Sequence, residues 1–339
     1  MYKNILVCLD NSNQSNWGAD IAVQLGGKFA ARLTGCHVYA ALLHESRFRQ
    51  MEVTLPARYQ MEDELQKQRS IHSSLITKGL RIIADSYITV FEDKCGTAAV
   101  KCSGKTMEGK NYLEIVKELS DNGYDLVIMG ALGLGTTGAS QIGSVCERVA
   151  RRTRTDILAV KEDRAIAGKI LVAVDGSPNS FAGLKLAVGL ARAYGAGVEA
   201  VSVYDPYFHY AAFKNIAGIL SEEAGKMFRF KEQEILHGEI IDNGLARIYQ
   251  GYLDIAKVLA KDDGLDIETT LLAGKPFDLI LKHAAETRPS LLVMGRTGIH
   301  GCDELDIGSN TENCLRQAGC NVLITSRDYL PPQAANSQA

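Results

Sequence analysis

One glycine pattern occurs twice in the chain, at a constant offset that carries Gly130 onto Gly295. In each copy G-x-x-G is followed, after nine residues, by Gly-Ser: Gly130, Gly133, Gly143 and Ser144 in the first, and Gly295, Gly298, Gly308 and Ser309 in the second. Glycines at fixed spacing mark backbone that approaches a ligand closely or adopts positive φ. A Gly-Ser step that opens a helix offers N–H groups and a hydroxyl to an anion. The pattern therefore predicts two phosphate-binding turns in a duplicated protein.

The duplication extends beyond the glycines. The same offset aligns four further pairs of segments: Asn4–Asp10 with Lys169–Asp175, Val38 with Val203, Gly109-Lys110 with Gly274-Lys275, and Tyr124–Gly130 with Pro289–Gly295. Each half has the length of an ordinary domain. We therefore expect two related domains, 1–163 and 168–328, and a disordered tail at 329–339. Because the linker is short, the halves are expected to form an intramolecular pseudo-dimer, with a homodimer as a further alternative.

Composition narrows the class of protein. A net charge of −3 over 339 residues argues against a nucleic-acid binder. The sequence contains no run of about 18 apolar residues, so no membrane-spanning helix is expected, and the first residues do not resemble a signal segment. The eight cysteines sit inside strand and helix patterns rather than in a disulfide framework. We therefore expect a cytoplasmic protein that contacts neither nucleic acid nor membrane.

Hydrophobic periodicity predicts strands alternating with helices in both halves. Apolar runs such as Lys3–Leu9 and Asp125–Met129 indicate buried strands, and Gln14–Ala31 has helical spacing. This order predicts an α/β fold of two tandem doubly wound parallel sheets, whose ligands lie beyond the carboxyl ends of the strands. Two longer segments, 44–108 and 205–273, are expected to be inserts after the second strand. They contain helical stretches (Glu62–Arg81 and Phe213–Ile240) and a candidate hairpin (Tyr87–Phe91 with Ala98–Cys102), and the repeat offset is expected to fail there.

The succession of strand, aspartate, Gly-x-x-Gly-x9-Gly-Ser, helix and last strand resembles the universal stress protein family, in a tandem form of its ATP-binding branch. The resemblance implies an adenine nucleotide alpha hydrolase-like, Rossmann-like fold and two sites for ATP, with Mg²⁺. It places Asp10 and Asp175 beside adenine and ribose, and Val38 and Val203 at the adenine edge. The ribose and phosphates would be held by residues of the glycine turns and the preceding methionines: Met129, Gly130, Gly133, Gly143, Ser144 and Val145, and Met294, Gly295, Gly298, Gly308, Ser309 and Asn310.

The two copies differ within this pattern. Asn11 stands in the first half where Gly176 has the form usual in the family. The turn after Gly130 is apolar, whereas Arg296 and Thr297 in the second half are candidates for phosphate contact. The second turn also contains His300, Asp303, Glu304 and Asp306, which would hold a metal ion or repel a triphosphate. The two sites are therefore not expected to be equivalent.

Three other patterns have a plain structural alternative. Ala99-x4-Gly104-Lys105-Thr106 matches a relaxed Walker A sequence, but a buried strand before it and a helix beginning at the lysine are missing from the pattern. Cysteines near histidines suggest metal ligands without matching a zinc signature, so core or surface cysteines are the favoured interpretation. Tyrosines and phenylalanines near the second site predict either a pocket lining or a packed lid. The residues concerned are Cys95, Cys102, His44, His72 and Cys302 near His300, and Tyr204, Tyr207, Phe208, Tyr210 and Phe213.

These features favour an ATP-binding stress or signalling protein whose nucleotide occupancy modulates an unknown protein partner. No nucleophile–base pair stands out in the sequence, so catalysis has little support. The alternatives are a slow metal-dependent ATPase or nucleotidyl transferase, and a carrier whose inserts hold a lipid-like or other small ligand.

Overall fold

The computed structural model describes residues 1–135, 141–206, 229, 232, 242–299, 301 and 307–332. The chain divides into two compact units, Met1–Asp163 and Arg164–Ala339. Each unit is built as an α/β domain, and each is described by itself below.

The described residues of the first unit form five parallel strands in the order β3-β2-β1-β4-β5. Its elements are β1 (Asn4–Cys8), α1 (Asn13–Phe29), β2 (Arg32–Tyr39), α2 (Ala41–Met51), α3 (Glu62–Thr97), β3 (Cys102–Glu108), α4 (Asn111–Asp121), β4 (Leu126–Gly130), α5 (Ser144–Ala150) and β5 (Asp156–Val160). Two short 3-10 turns, Glu52–Thr54 and Ala57–Tyr59, connect α2 to α3.

The second unit repeats the parallel order, as β8-β7-β6-β9-β10. Its elements are β6 (Lys169–Ala173), α6 (Pro178–Tyr194), β7 (Gly197–Tyr204), α7 (Asp242–Asp262), β8 (Glu268–Ala273), α8 (Pro276–Thr287), β9 (Leu291–Gly295), α9 (Ser309–Gln317) and β10 (Asn321–Thr325). The predicted α/β fold with two tandem parallel sheets is therefore confirmed.

The central strands explain why the chain folds this way. Ile5, Leu6 and Val7 in β1 have no exposed surface, because helices cover both faces of a parallel sheet. The helix after each central strand begins at a serine N-cap, whose Oγ accepts a hydrogen bond from a backbone amide in the first turn. The residue before each cap has positive φ, which an asparagine and a glycine tolerate best: Asn11 (61°) and Gly176 (88°).

The predicted hairpin in the first insert is wrong. Residues 87–91 belong to α3, a helix that continues to Thr97, and β3 is a parallel strand beside β2. The expected failure of the repeat offset in this region is wrong as well. Helices α3 and α7 end at Thr97 and Asp262, and strands β3 and β8 end at Glu108 and Ala273, in both cases at the same offset as the glycine turns. The duplication therefore includes the helix and edge strand that lie between the second strand and the glycine turn.

The Walker A match falls on β3, which excludes a phosphate-binding loop there. Gly104, Lys105 and Thr106 are strand residues paired with Gly35, Cys36 and His37 of β2. A Cβ on Gly104 would lie 1.9 Å from Ile88 of α3, so this glycine permits the helix to pack on the edge strand. Lys105 donates to the carboxylate of Glu118 on α4.

Some of the sequence predictions concern residues that the structure does not describe. The stretch Phe213–Ile240, apart from residues 229 and 232, and the aromatic residues from Tyr207 to Phe213 lie outside the described residues, as do 333–339 of the predicted tail. Within the described tail, the Tyr329 amide donates to Pro178 O at 3.1 Å, which ties this residue to the start of α6. Within the described part of the chain, no helix has the length and apolarity needed to cross a membrane.

Candidate functional site

A cavity of about 360 Å³ opens at the carboxyl end of β1, β2 and β4 in the first unit. All eight residues predicted for the first site line it: Asp10, Val38, Met129, Gly130, Gly133, Gly143, Ser144 and Val145. Residues from both ends of the unit's sequence thus meet around one space. The cavity lies where ligands bind in open parallel sheets, beyond the strand ends.

Asp10 is fixed by the turn that follows β1. Its Oδ1 accepts hydrogen bonds from the Ser12 amide at 2.9 Å and from Ser12 Oγ at 2.6 Å. Ser12 Oγ in turn accepts from the Ser15 amide and caps α1. One carboxylate oxygen is therefore occupied by the helix cap, while Oδ2 points toward Gly133, since a Cβ on that glycine would lie 2.6 Å from it.

Asp175 has the same arrangement in the second unit. Its Oδ1 accepts from the Ser177 amide at 3.0 Å and from Ser177 Oγ at 2.6 Å, and its Oδ2 accepts from the Ile299 amide at 3.1 Å. A Cβ on Gly298 would lie 2.5 Å from that Oδ2. The second glycine of each turn is therefore explained by the close approach of a carboxylate.

The first glycine of each turn has a different physical reason. A Cβ on Gly130 would lie 3.0 Å from the Ser15 amide nitrogen, and one on Gly295 would lie 2.8 Å from Asn179 Cβ. Gly130 ends β4 against the first turn of α1, and Gly295 ends β9 against the first turn of α6. Their absence of a side chain lets helix and strand pack closely, and this requirement exists without any ligand.

An amide side chain holds the first residues of each turn. The Leu132 amide donates to Gln14 Oε1, and Gln14 Nε2 donates to Lys161 O at 3.2 Å. In the second unit, the Thr297 amide and hydroxyl donate to Asn179 Oδ1 at 3.1 and 2.7 Å. Gln14 and Asn179 were not among the predicted site residues. They occupy equivalent positions at the repeat offset, and that coincidence was the signal that would have identified them.

The last glycine of each turn closes the loop and caps the next helix. The Gly143 amide donates to Ala131 O at 2.6 Å, and the Gly308 amide donates to Arg296 O at 2.8 Å. These glycines are the N-caps of α5 and α9. The predicted residues Ser144 and Val145, and Ser309 and Asn310, are the first two of each helix, where backbone N–H groups have no partner within the helix. Each turn thus presents main-chain donors to an anion.

The remaining predicted residues of the second site occupy matching places. Val203 is the penultimate residue of β7, as Val38 is of β2, and Met294 and Gly295 end β9. Residues 300 and 302–306 of the second turn lie outside the described residues. The predicted acidic contribution of Asp303, Glu304 and Asp306, and the pairing of Cys302 with His300, therefore have no structural description.

The two sites differ in the side chains beneath the ligand position. Cys8, Cys36 and Cys146 line the first cavity, and the corresponding positions of the second unit hold Ala173, Val201 and Thr311. The Sγ atoms of Cys8 and Cys36 are 3.8 Å apart. The hydrogen bond between them and burial raise the pKa of Cys8 far above its ordinary value, and burial raises the pKa of Cys146 to about 12. The thiols of Cys8 and Cys146 are therefore neutral at physiological pH.

The rim of the first cavity contains two residues that the sequence did not single out. His37 and Asn111 line it, and His37 Nδ1 lies 2.5 Å from Leu9 O. The equivalent positions of the second unit hold Ser202, whose hydroxyl donates to Val174 O, and Pro276. Because His37 and Asn111 have no counterpart of the same type in the second half, comparing the two halves could not identify them as site residues.

The two side chains of the second turn that were predicted to contact phosphate, Arg296 and Thr297, are buried or hydrogen-bonded within the protein instead. Arg296 is only 3% exposed, at the position equivalent to buried Ala131, so it lies in the core rather than at the surface of the turn. The Thr297 hydroxyl is engaged by Asn179. Tyr252 of α7 packs on Gly176, and Tyr249 contacts Tyr252 with ring centroids 5.5 Å apart. Burial, and after it the charge of Asp175, raises the pKa of both phenols.

Among the described residues, no group of three or more His, Cys, Asp or Glu side chains is placed to hold a metal ion. Burial, followed by a hydrogen bond with Cys102, raises the pKa of Cys95 to about 12, as expected for a packed thiol. His72 stacks on Phe48 with ring centroids 4.2 Å apart. The cysteines Cys95 and Cys102 and the histidine His72 therefore contribute to packing between α2, α3 and β3.

Known proteins are similar to this chain in sequence and in fold. A universal stress protein of Methanocaldococcus jannaschii is 28% identical over 159 residues, which cover 47% of this chain and 82% of that protein. Among solved structures, a universal stress protein from Archaeoglobus fulgidus aligns with 95% of this chain and 97% of its own at a TM-score of 0.62 and 15% identity. A Pseudomonas aeruginosa protein described as functionally unknown covers 96% and 92% at a TM-score of 0.57 and 15% identity.

The family model of the universal stress protein family matches residues 1–161 and again residues 167–326. Both matches include a strand–aspartate–serine cap and a glycine turn of the kind described above. The chain belongs to the universal stress protein family and carries two copies of its domain in tandem.

Proposed function

We propose that this chain is a cytoplasmic ATP-binding stress-response protein in which nucleotide occupancy modulates its interaction with a protein partner. The observation that carries the proposal is the convergence of all eight predicted residues of the first unit on one cavity. The second unit supports it because Asp175, Gly298 and Gly308 repeat the contacts of Asp10, Gly133 and Gly143.

The residues present fit an adenine nucleotide. A volume of about 360 Å³ lies within the range of about 300–1,000 Å³ that small-molecule sites occupy. Main-chain N–H groups at the start of α5 and hydroxyls such as Ser144 Oγ suit phosphate oxygens. Val38 and Met129 supply apolar surface for a base, and the Asp10 carboxylate suits a ribose hydroxyl.

A Mg²⁺ ion would arrive with the nucleotide. Because the described residues provide no three-ligand cluster, phosphate oxygens and water would supply most of its coordination. Asp10 is the carboxylate that lines the first cavity and is therefore the candidate protein ligand there.

Calorimetric titration of the full chain with ATP, ADP and AMP, with and without Mg²⁺, tests the proposal. Two ATP molecules per chain are expected. Gly143→Val should remove one site and Gly308→Val the other. An added Cβ lies 3.1 Å from Ala131 O at Gly143 and 3.4 Å from Arg296 O at Gly308, so the methyl groups of valine crowd the main chain of each turn. Gly123→Val and Gly319→Val are matched controls, because an added Cβ meets no atom within 4 Å at either position. Unchanged ATP affinity in both turn variants would refute the assignment.

The same samples separate binding from catalysis. The only histidine lining the first cavity, among the residues that the structure describes, is His37, and its Nδ1 is engaged by a main-chain carbonyl. We therefore expect labelled ATP to be recovered intact over many minutes. Steady release of labelled phosphate or transfer of a nucleotidyl group, abolished by Gly143→Val or Gly308→Val, would favour the enzymatic alternative.

A nucleotide-dependent partner requires two states with different partner affinity. Immobilised wild-type protein with ATP should retain a partner from a lysate of its own cells that the Gly143→Val/Gly308→Val variant does not retain. The Gly123→Val/Gly319→Val variant should behave as wild type. Equal retention by all three proteins would leave a nucleotide-binding protein without the proposed switch.

A further inference from the structure

Exposed apolar side chains are concentrated in one part of the first unit, here called the arm and defined as residues 41–83. Seventeen large hydrophobic residues are exposed among those the structure describes, and nine of them lie in the arm. They are Leu42, Leu43, Met51, Val53, Met61, Ile71, Leu75, Ile82 and Ile83. A soluble domain does not ordinarily gather so much apolar surface in one place without a partner for it.

Three of these residues form a stripe along α3. At about 100° per residue, Ile71, Leu75 and Ile82 fall within about 40° of one another around the helix. They are 52%, 67% and 69% exposed. The opposite side of α3 is the one that meets the sheet, through buried Ala84, Ile88 and Phe91. Helix α2 covers a third side through the Phe48–His72 stack, so the described part of the chain leaves the stripe uncovered.

Charges beside the stripe indicate what covers it. Lys67 and Asp85 are separated by about five whole helical turns, so both lie on the same flank of the stripe. Their side chains are 66% and 56% exposed, and their contacts within the helix are long, at 4.0 Å to Glu64 and 3.9 Å to Arg81. In an antiparallel pair of identical helices, residues on the same flank face each other.

The midpoint of Lys67 and Asp85 is residue 76, and the midpoint of Ile71 and Ile82 lies between 76 and 77. One twofold axis at this level therefore sets Ile71 against Ile82 of the second helix and Lys67 against Asp85, twice. Leu75 meets Lys78, whose aliphatic stem can cover it while the ammonium group reaches water. The stripe is thus complementary to itself in polarity and in the charges of Lys67 and Asp85, and such self-complementarity is what an isologous contact requires.

We propose that the arm is a homodimer contact, in which α3 of one chain packs antiparallel on α3 of a second copy around a twofold axis near Ile76. The proposal concerns a surface outside both glycine turns and does not depend on nucleotide binding.

Light scattering coupled to gel filtration, over nanomolar to high micromolar concentrations, tests it on the full chain. Wild type is expected to reach twice the 36.8 kDa of one chain. Leu75→Glu should remain monomeric at every concentration, whereas Leu113→Glu, at a 47%-exposed position of α4 outside the arm, should still dimerise. Since Leu75 is exposed, folding is checked by an unchanged thermal transition. A wild-type protein that stays monomeric, or equal effects of the two variants, would overturn the proposal.

Charge reversal tests the antiparallel register itself. Lys67→Glu or Asp85→Lys alone places like charges face to face twice in the dimer and should weaken it about three- to tenfold. The double variant restores opposite charges and should dimerise nearly as well as wild type. Failure of the double variant to recover would overturn this register. Monomers that instead sediment with phosphatidylcholine vesicles through Leu75 would assign the stripe to a lipid surface and overturn the proposal.

Discussion

At the scale of single residues, Asp10 and Asp175 connect the fold to the site. Each carboxylate uses Oδ1 to hold the serine that caps the following helix, and each directs Oδ2 toward the glycine turn. The structural task of Oδ1 exists without a ligand. The functional task therefore belongs to Oδ2, and a substitution that preserves the first oxygen tests the second.

Asp10→Asn is such a substitution, because the amide retains one carbonyl oxygen to accept from Ser12. Loss of the charge beside the cavity should weaken ATP binding at the first site by about 5- to 100-fold, as expected for a charge-assisted hydrogen bond. Calorimetric titration of the Gly308→Val background isolates that site. Asp20→Asn, which changes an exposed aspartate of α1 paired with Lys94, is the control and should leave the affinity unchanged.

A side chain at one equivalent position joins a helix to the sheet in both units, as a hydrogen-bond acceptor in the first unit and as a donor in the second. Glu118 of α4 accepts from Lys105 of β3, and the equivalent His283 of α8 donates to Glu199 of β7 at 2.7 Å. Glu199 is 3% exposed and also accepts from Lys169 at 2.9 Å and Thr270 at 2.7 Å. Burial raises the pKa of Glu199, but the hydrogen bonds from Thr270, Lys169 and His283 outweigh it and hold the pKa below its ordinary value.

The lowered pKa of Glu199 fixes the sign of a pH effect. A carboxyl whose pKa is lower in the folded state adds stability above its unfolded pKa, and this is lost as the pH falls through the folded value. Glu199→Gln should therefore reduce the unfolding free energy by about 1–3 kcal/mol at pH 7. The difference from wild type should shrink steadily below about pH 4.5.

Urea denaturation between pH 7 and pH 3 measures this difference. Glu268→Gln is the matched control, because Glu268 binds the same Lys169 but its side chain is 71% exposed. A gap between wild type and Glu199→Gln that stays constant, or widens, on acidification would contradict the assignment.

At the scale of elements, burial decided which strands the sequence could predict. The inner strands are apolar runs, and the predicted runs Lys3–Leu9 and Asp125–Met129 located β1 and β4 within one residue. The edge strands β3 and β8 were missed because they have one neighbour and carry polar side chains such as Ser103, Lys105 and Glu268. A polar edge protects a sheet from further pairing, so it lacks the hydrophobic signal by which strands are recognised.

The contact of α3 with β3 can be tested with two glycine-to-alanine substitutions that should change the unfolding free energy in opposite directions. Gly104→Ala sets a Cβ 1.9 Å from Ile88 and should destabilise the first unit by about 1–3 kcal/mol. Gly96→Ala, near the end of α3, meets no atom within 4 Å and should stabilise by up to about 1 kcal/mol through helix propensity. Urea denaturation compares them, and equal effects of the two variants would contradict the close packing at Gly104.

Lys105→Ala completes the test of this element, because a phosphate-binding lysine and a strand residue predict different outcomes. ATP affinity should remain that of wild type, since Lys105 contacts Glu118 and lies outside the lining of the cavity. Loss of nucleotide binding in this variant would contradict the assignment of β3.

At the scale of the whole chain, the duplication was the most powerful predictor. One offset located both glycine turns, both aspartates and both sheets, because the same physical requirements recur in each copy. It failed to reveal what the copies do not share, such as the thiols of Cys8 and Cys36 and the rim residue His37. The sequence also could not show why each glycine is needed. Gly130 allows a helix to pack closely, whereas Gly133 makes room for a carboxylate.

If each compact unit has its own nucleotide site, ATP should stabilise each unit separately. A ligand at about 100 times its Kd adds about 2.7 kcal/mol to the folded form that binds it. With ATP at that level, the midpoint of urea denaturation should rise for wild type. In Gly143→Val, ATP should no longer stabilise the first unit, and in Gly308→Val it should no longer stabilise the second. In the double variant, ATP should leave the midpoint of denaturation unchanged. Tryptophan fluorescence reports on the first unit alone, because Trp17 is the only tryptophan in the chain. An ATP-induced shift in that signal that survives Gly143→Val and disappears in Gly308→Val would contradict an independent site in the first unit.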